Sequence, residues 1–201
     1  MVELIGISRH RIGIDGKGIT TLVAMHGCPL NCKYCLNPQC HEVDGITKSL
    51  SPKQLYSEVK KDHLYFLATG GGITFGGGEP LLHHNFIKVF KELCDDEWKI
   101  NIETSLYAPT STIVELASII DHWIIDIKDT NNEIYKAYTG RENPLVMQNL
   151  LELVKLNTNI TVRVPHIPNF NTDDDIARSI RAIKEMGITN IDEFPYTSRT
   201  Q

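Results

Sequence analysis

What this chain lacks narrows its nature first. It has no long apolar run: the opening "MVELIGISRHRIGIDGKGI" offers neither a signal-peptide core nor the ~20 apolar residues of a membrane helix. No block of lysine or arginine stands out and the formal net charge is −5, so nucleic acid is not the expected partner. Internal repeats, low-complexity tracts and Pro- or Ser-rich linkers are absent, so residues 1–201 are expected to form one domain. The expected location is the cytoplasm, away from any membrane. Disulfides are rare there, and the odd count of five cysteines suits a disulfide framework poorly.

Four of those five thiols nevertheless crowd into "HGCPLNCKYCLNPQC", His26 to Cys40. Cys28, Cys32 and Cys35 form C-x3-C-x2-C. Three readings stand: a disulfide knot, a zinc site or a metal–sulfur cluster. A structural zinc site wants four ligands, usually as two separated pairs. Cys32 and Cys35 make one half-site, no second C-x2-C or H-x3-H follows, and Cys40, His26 or His41 would have to complete the set. Iron–sulfur clusters are held by thiolates, commonly four. Three would leave one iron open, the logic of a catalytic rather than a structural centre.

Hydrophobic periodicity sets the frame. Strands are expected at 19–26, 72–75, 99–104, 122–129, 159–167 and 190–196. Helices are expected at 52–67, 83–96, 110–120, 143–156 and 172–187, with Ser51-Pro52 opening the first and Gly187 closing the last. Cys94 falls on a core stripe, His83-His84 at a helix start, and Asp173, Asp174 and Asp175 in a first turn where the helix dipole favours acids. Alternating strands and helices argue for an α/β fold with a parallel sheet. Six units are too few for a closed eight-stranded barrel, so an open, incomplete (β/α)6 TIM-like barrel is expected, with a flat doubly wound sheet as the alternative. Chemistry should sit at the C-terminal strand ends in either case. The unusual residues fall there: the cysteine loop, Gly76-Gly77-Gly78-Glu79, Glu103-Thr104, Asp126 with Lys128, Arg163, and Tyr196-Thr197.

At these motifs the chain resembles the radical S-adenosylmethionine (SAM) enzymes. The three-cysteine motif with Tyr34 before its last cysteine, "GGGITFGGGEP" (70–80), "IDIK" (125–128) and the final "PY" carry the likeness. Order and spacing are most similar to the activating enzymes of glycyl radical enzymes, of the pyruvate formate-lyase activase type, from about residue 12 to 197. Lys17 stands where that type usually has proline, and Thr20 where arginine is common. No ferredoxin-like run of cysteines follows Cys35, which leaves Cys40 as a free thiol.

The resemblance implies that Cys28, Cys32 and Cys35 ligate a [4Fe–4S] cluster. SAM then chelates the open iron and is reductively cleaved to a 5′-deoxyadenosyl radical. It implies that Gly76, Gly77 and Gly78, with Glu79, hold the methionine amine, that Tyr34 lies against the adenine, and that Leu36, Asn37, Lys128, Arg163 and Thr197 face the cofactor. Thr197 replaces the histidine usual after that final "PY". Glu103 with Thr104, and Asp126, occupy the positions where the activase type binds a monovalent cation. Glu103 is one methylene longer than the aspartate usual there. The implied partners are a large glycyl radical enzyme and an electron donor such as flavodoxin or ferredoxin. A barrel mouth left open by a chain that stops soon after its sixth strand favours such a macromolecular substrate. Two other functions compete: a radical SAM enzyme acting on a small molecule or peptide, and a non-catalytic iron–sulfur or zinc module, which would need neither the glycine motif nor the rim carboxylates.

Overall fold

The computed structural model describes residues 1–196. Strands β1 (Val2–Ile12), β2 (Ile19–Met25) and β3 (Lys48–Leu50) precede helices α1 (Pro52–Val59) and α2 (His63–Thr69). Then follow β4 (Gly72–Gly77), α3 (His84–Lys91), β5 (Lys99–Thr104), α4 (Thr110–Ala117) and β6 (His122–Asp126). Helices α5 (Asn132–Thr139) and α6 (Pro144–Lys155), β7 (Ile160–His166), α7 (Asp173–Glu185) and β8 (Ile191–Pro195) complete the order.

One eight-stranded sheet runs β3-β1-β2-β4-β5-β6-β7-β8. From β2 onward, neighbours are parallel and in chain order. A doubly wound sheet needs a reversal of strand order, and there is none here. Right-handed crossovers that always step the same way place the helices on one side, which is the open (β/α)6 barrel expected from the sequence. The central strands are buried on both faces, as parallel strands must be: Gly72 to Gly76 of β4 are all buried. Trp98, Trp123, Phe66, Phe75 and Phe90 are the large core side chains. In-register pairing brings the strand ends to one rim, with Met25 opposite Gly77, Thr104 opposite Ile125 and Asp126 opposite Arg163.

Four differences from the expected elements have physical causes. First, the sheet has eight strands, because β1 and β3 add an antiparallel edge. The register of β1 shifts between Leu4 and Gly6 and again between Ser8 and Arg11, and these irregularities erase the period of two that marks a strand.

Second, the helix expected at 52–67 breaks into α1 and α2 at a 3-10 turn over Lys60–Asp62. Asp62 is fully buried there and accepts hydrogen bonds from Arg9 and from Thr21 Oγ1 at 2.7 Å. Burial alone would raise its pKa, but these bonds outweigh it and hold Asp62 below the usual carboxylate range.

Third, α5 is an additional short helix, capped by Asn131 accepting from Glu133 N and closed by Gly140 at φ 76°. Fourth, the strand expected at 122–129 ends at Asp126. Beyond it the buried Asp129 turns to accept from Asn131 N, at 2.8 Å.

Caps at α1 and α7 follow the sequence closely. Ser51 and Thr172 each accept from the amide three residues on, while Gln54 and Asp175 reach back. Such reciprocal caps contribute about 1 kcal/mol each.

Candidate active site

A cavity of about 240 Å³ opens at the C-terminal rim of the parallel strands, and the cysteine loop forms one of its walls. Cys28, Cys32 and Cys35 all line it, facing Gly77, Gly78 and Glu79 from the end of β4. The loop is pinned from two sides. Asn31 N and Lys33 N donate to the carbonyls of Thr139 and Tyr138, at 2.9 and 3.1 Å, so both neighbours of Cys32 are tied to the end of α5. On the other side Asn37 Nδ2 donates to Gly77 O at 3.1 Å, and Gly78 N to Met25 O at 2.9 Å.

The glycines have a packing reason here. A Cβ on Gly77 would lie 2.8 Å from the Ala24 backbone, with φ already at +93°, and one on Gly78 would collide with the Gly27 carbonyl. Gly76 sits just beneath the cavity, where a Cβ would come within 3.1 Å of Glu103 Oε2.

Glu79 is the keystone of this rim. It is 1% exposed and accepts from Thr104 Oγ1 at 2.6 Å, Ser105 Oγ at 2.6 Å, Ser105 N at 2.9 Å and Leu81 N at 3.2 Å. Burial pushes its carboxyl upward against the pull of these donors. The sequence reading missed Ser105. Its signal was local: two consecutive hydroxyl residues, Thr104 closing β5 and Ser105 just after it, beside a strand followed two residues on by an acid.

Four charges cross the floor, three on β5, β6 and β7 and the fourth, Lys128, two residues past the end of β6. Arg163 donates from Nε to Asp126 Oδ1 at 2.9 Å and pairs through Nη1 with Glu103 Oε1 at 3.0 Å. Lys128 Nζ donates to Asp126 Oδ2 at 3.1 Å. Burial alone would raise Asp126, but Lys128 and Arg163 hold it low, while burial leaves Glu103 raised. The set is neutral overall, and each carboxylate already has a fixed cationic partner. Glu103, Thr104 and Asp126, the residues expected at a monovalent cation, all line this cavity: both carboxylates meet Arg163, and Thr104 Oγ1 donates to Glu79.

Tyr34, expected against the adenine, is not among the residues that line the cavity. Its ring lies outside the cavity wall, edge-on to Phe170 at 5.7 Å and to Tyr138 at 6.1 Å. Asn169 Nδ2 donates to its hydroxyl at 3.3 Å, and Tyr196 donates to its carbonyl. The aromatic side chains on the wall are Tyr138, Phe194 and Tyr196 instead, joined by the apolar Leu30 and the half-exposed Leu36. Leu30, Tyr138 and Phe194 were not among the expected site residues. Thr197 lies outside the described residues.

All five cysteines are free thiols. Burial pushes Cys32 up to about 11, whereas a hydrogen bond from Cys40 lowers Cys28 and takes Cys35 to about 6. Among the described residues, no three His, Cys, Asp or Glu side chains converge on a single metal ion. Three thiolates spread along one wall suit instead a multi-iron group, in which each binds a different iron. Helix α5, to which the cysteine loop is bonded, carries two buried hydroxyls without a hydrogen-bond partner, those of Tyr135 and Tyr138, and Tyr138 lines the cavity. The residues therefore fit a cluster on Cys28, Cys32 and Cys35, with the charged floor beside it.

With thiolate loop, glycine rim and charged floor around one cavity, the class is defined: the chain belongs to the Radical SAM superfamily, whose pattern matches residues 22–191. The family's cofactors are a [4Fe–4S] cluster and SAM. The (2S)-3-sulfopropanediol dehydratase activating enzyme of Klebsiella oxytoca is 27% identical over 257 residues, covering 92% of this chain and 81% of that one. The 4-hydroxyphenylacetate decarboxylase activating enzyme of Clostridium scatologenes is 28% identical over 81% of this chain and 72% of its own. The pyruvate formate-lyase-activating enzyme of Staphylococcus aureus is 28% identical over 81% and 67%.

Among solved structures, Streptococcus suis SuiB bound to S-adenosylmethionine superposes with a TM-score of 0.70 at 14% identity, over 88% of this chain. A native anSMEcpe with bound AdoMet gives 0.67 at 18% over 87%. These two share the fold. The chain spans 40% of the first and 50% of the second.

Proposed function

We propose that this chain is an activating enzyme for a glycyl radical enzyme. Cys28, Cys32 and Cys35 would hold a [4Fe–4S] cluster that, when reduced, would supply the one electron for cleaving SAM to methionine and a 5′-deoxyadenosyl group able to take a hydrogen atom from a glycine Cα of the partner. The observation that carries the reading is the convergence of the three-cysteine loop, the Gly77-Gly78-Glu79 rim and the Asp126–Lys128–Arg163 floor on one cavity. The names of the curated relatives, each an activating enzyme, support the substrate class.

In this reading the chain's own residues bind, orient and exclude. Cys28, Cys32 and Cys35 hold the cluster. Gly77 and Gly78 present backbone to the methionine amine, with Gly76 packed beneath them. Lys128 and Arg163, oriented by Asp126 and Glu103, face the SAM carboxylate. Glu79, with Thr104 and Ser105, fixes the rim against the loop. Leu30, Leu36 and Phe194 keep water from the reacting centre, and Asn37 ties loop to rim. We take residues 1–201 as one cytoplasmic domain served by a flavodoxin- or ferredoxin-like electron donor. Among the described residues no helix is long and apolar enough to cross a membrane.

The test is electron paramagnetic resonance on the reduced, SAM-loaded protein mixed with purified glycyl radical enzymes, beginning with one encoded beside it. A glycyl-type doublet, formed only with partner present, is expected. Fast, coupled turnover of a small molecule by the isolated chain would overturn the reading in favour of a small-molecule enzyme.

A further inference from the structure

Tyr135 has no role in the site as described so far. It lies on α5, is fully buried, and its hydroxyl has no hydrogen-bond partner. A buried hydroxyl left unpaired costs about 1–3 kcal/mol, and folded proteins seldom keep one without reason.

Its position narrows what the missing acceptor is. The last turn of α5 is bonded to the cysteine loop on both sides of Cys32, through Asn31 N to Thr139 O and Lys33 N to Tyr138 O. Residues three and four apart share a helix face, so Tyr135 lies on the face that carries Tyr138 and Thr139. Cys32, Glu79, Tyr107 and Cys28 are the acidic groups that act on the Tyr135 hydroxyl, and of these Cys32, Glu79 and Cys28 line the cavity. Glu79 is already occupied by its four donors. Among the groups that line the cavity the sulfurs of the loop remain, and a thiolate held by iron is a better acceptor than the protonated thiol or the neutral Tyr107 hydroxyl.

We propose that Tyr135 is a positioning residue for the iron–sulfur site, its hydroxyl donating to the ligand sulfur of Cys32 once the cluster is bound. The proposal rests on the radical SAM reading. Hydrogen bonds to cluster sulfurs stabilise the more negative, reduced state and so raise the reduction potential. Tyr135 would thereby set how readily this cluster accepts its electron, and the buried hydroxyl would be paid for only in the loaded protein.

The experiment is Tyr135→Phe, which keeps the ring and removes only the hydroxyl. In protein carrying four irons per chain, the ratio of reduced to oxidised cluster at fixed poise is expected to fall several-fold, toward tenfold, equivalent to ~59 mV for one electron. In metal-free protein, the same variant should melt at the wild-type temperature or above it, because an unpaired hydroxyl has gone. A potential unchanged from wild type, or an equal loss of stability with and without cluster, would overturn the proposal and leave Tyr135 as packing. Tyr135→His, which restores a donor, should recover part of the shift. Failure of the wild type itself to assemble a four-iron cluster would overturn the radical SAM reading, a result distinct from an unchanged potential.

Discussion

Arg163 on β7 donates to Asp126 on β6 at 2.9 Å, and the same guanidinium reaches past that strand to Glu103 on β5 at 3.0 Å. A fixed cation therefore lies between two carboxylates whose positions suggest an inorganic ion. SAM binding by the cluster-loaded protein should then be nearly the same, within about twofold, in potassium and in choline salts of equal ionic strength. Arg163→Ala leaves two carboxylates facing a gap, and potassium should raise the melting temperature of that variant but not of the wild type. A wild type that needs potassium to bind SAM would contradict this account of the floor.

Asp126 holds two cationic side chains and Glu103 only one. Asp126→Ala should thus weaken SAM binding more than Glu103→Ala, and cost more stability, near the lower end of the ~3–5 kcal/mol typical of a broken buried pair. Calorimetric titration with SAM ranks the two variants, and equal affinity of both with the wild type would remove the floor from the cofactor site.

Glu79 meets four donors and no acceptor. Glu79→Gln turns an amide group toward hydroxyls and amides that need an acceptor, and should cost about 1–3 kcal/mol. Ser105→Ala should cost about 1 kcal/mol. Urea unfolding of the metal-free protein measures both. A Gln variant as stable as the wild type would show that Glu79 does not clamp the rim.

Burial lowers the pKa of His122, whose ring pairs with Thr161 Oγ1 at 2.7 Å between β6 and β7. Its folded value is depressed, so its contribution is present above the unfolded value near ~6.5 and is lost as pH falls below it. Stability should therefore drop between pH 7.5 and 5.5, and drop less in His122→Gln. An identical drop in the variant would assign the acid sensitivity to other groups.

The parallel order and the rim were legible because central strands and their turns speak locally. "GITF" between glycines, the Ser51-Pro52 start and the three acids after Thr172 each point to one structure. The antiparallel edge was not legible, because the Gly6 and Ser8–Arg11 irregularities in β1 blur its alternation. Helix α5 escaped because its two turns mix polar residues with tyrosines, whose burial depends on the cysteine loop docking there. The expectation of a cluster on Cys28, Cys32 and Cys35 rests on their spacing together with the family resemblance, since spacing alone leaves zinc open. The partners of Glu103 and Asp126 could not be read from the sequence, because they join across three strands that only the sheet register brings together.

The central claim is that Cys28, Cys32 and Cys35 carry a cluster that cleaves SAM. Anaerobic reconstitution, iron analysis and measurement of 5′-deoxyadenosine after reduction test it most directly. The account predicts one oxygen-labile four-iron cluster, 5′-deoxyadenosine formed with methionine in equal amounts, and loss of cleavage in each of the three cysteine→Ala variants but not in Cys40→Ala. A protein that holds a single tightly bound zinc and leaves SAM intact, or a Cys40→Ala variant that loses its iron like the others, would contradict it.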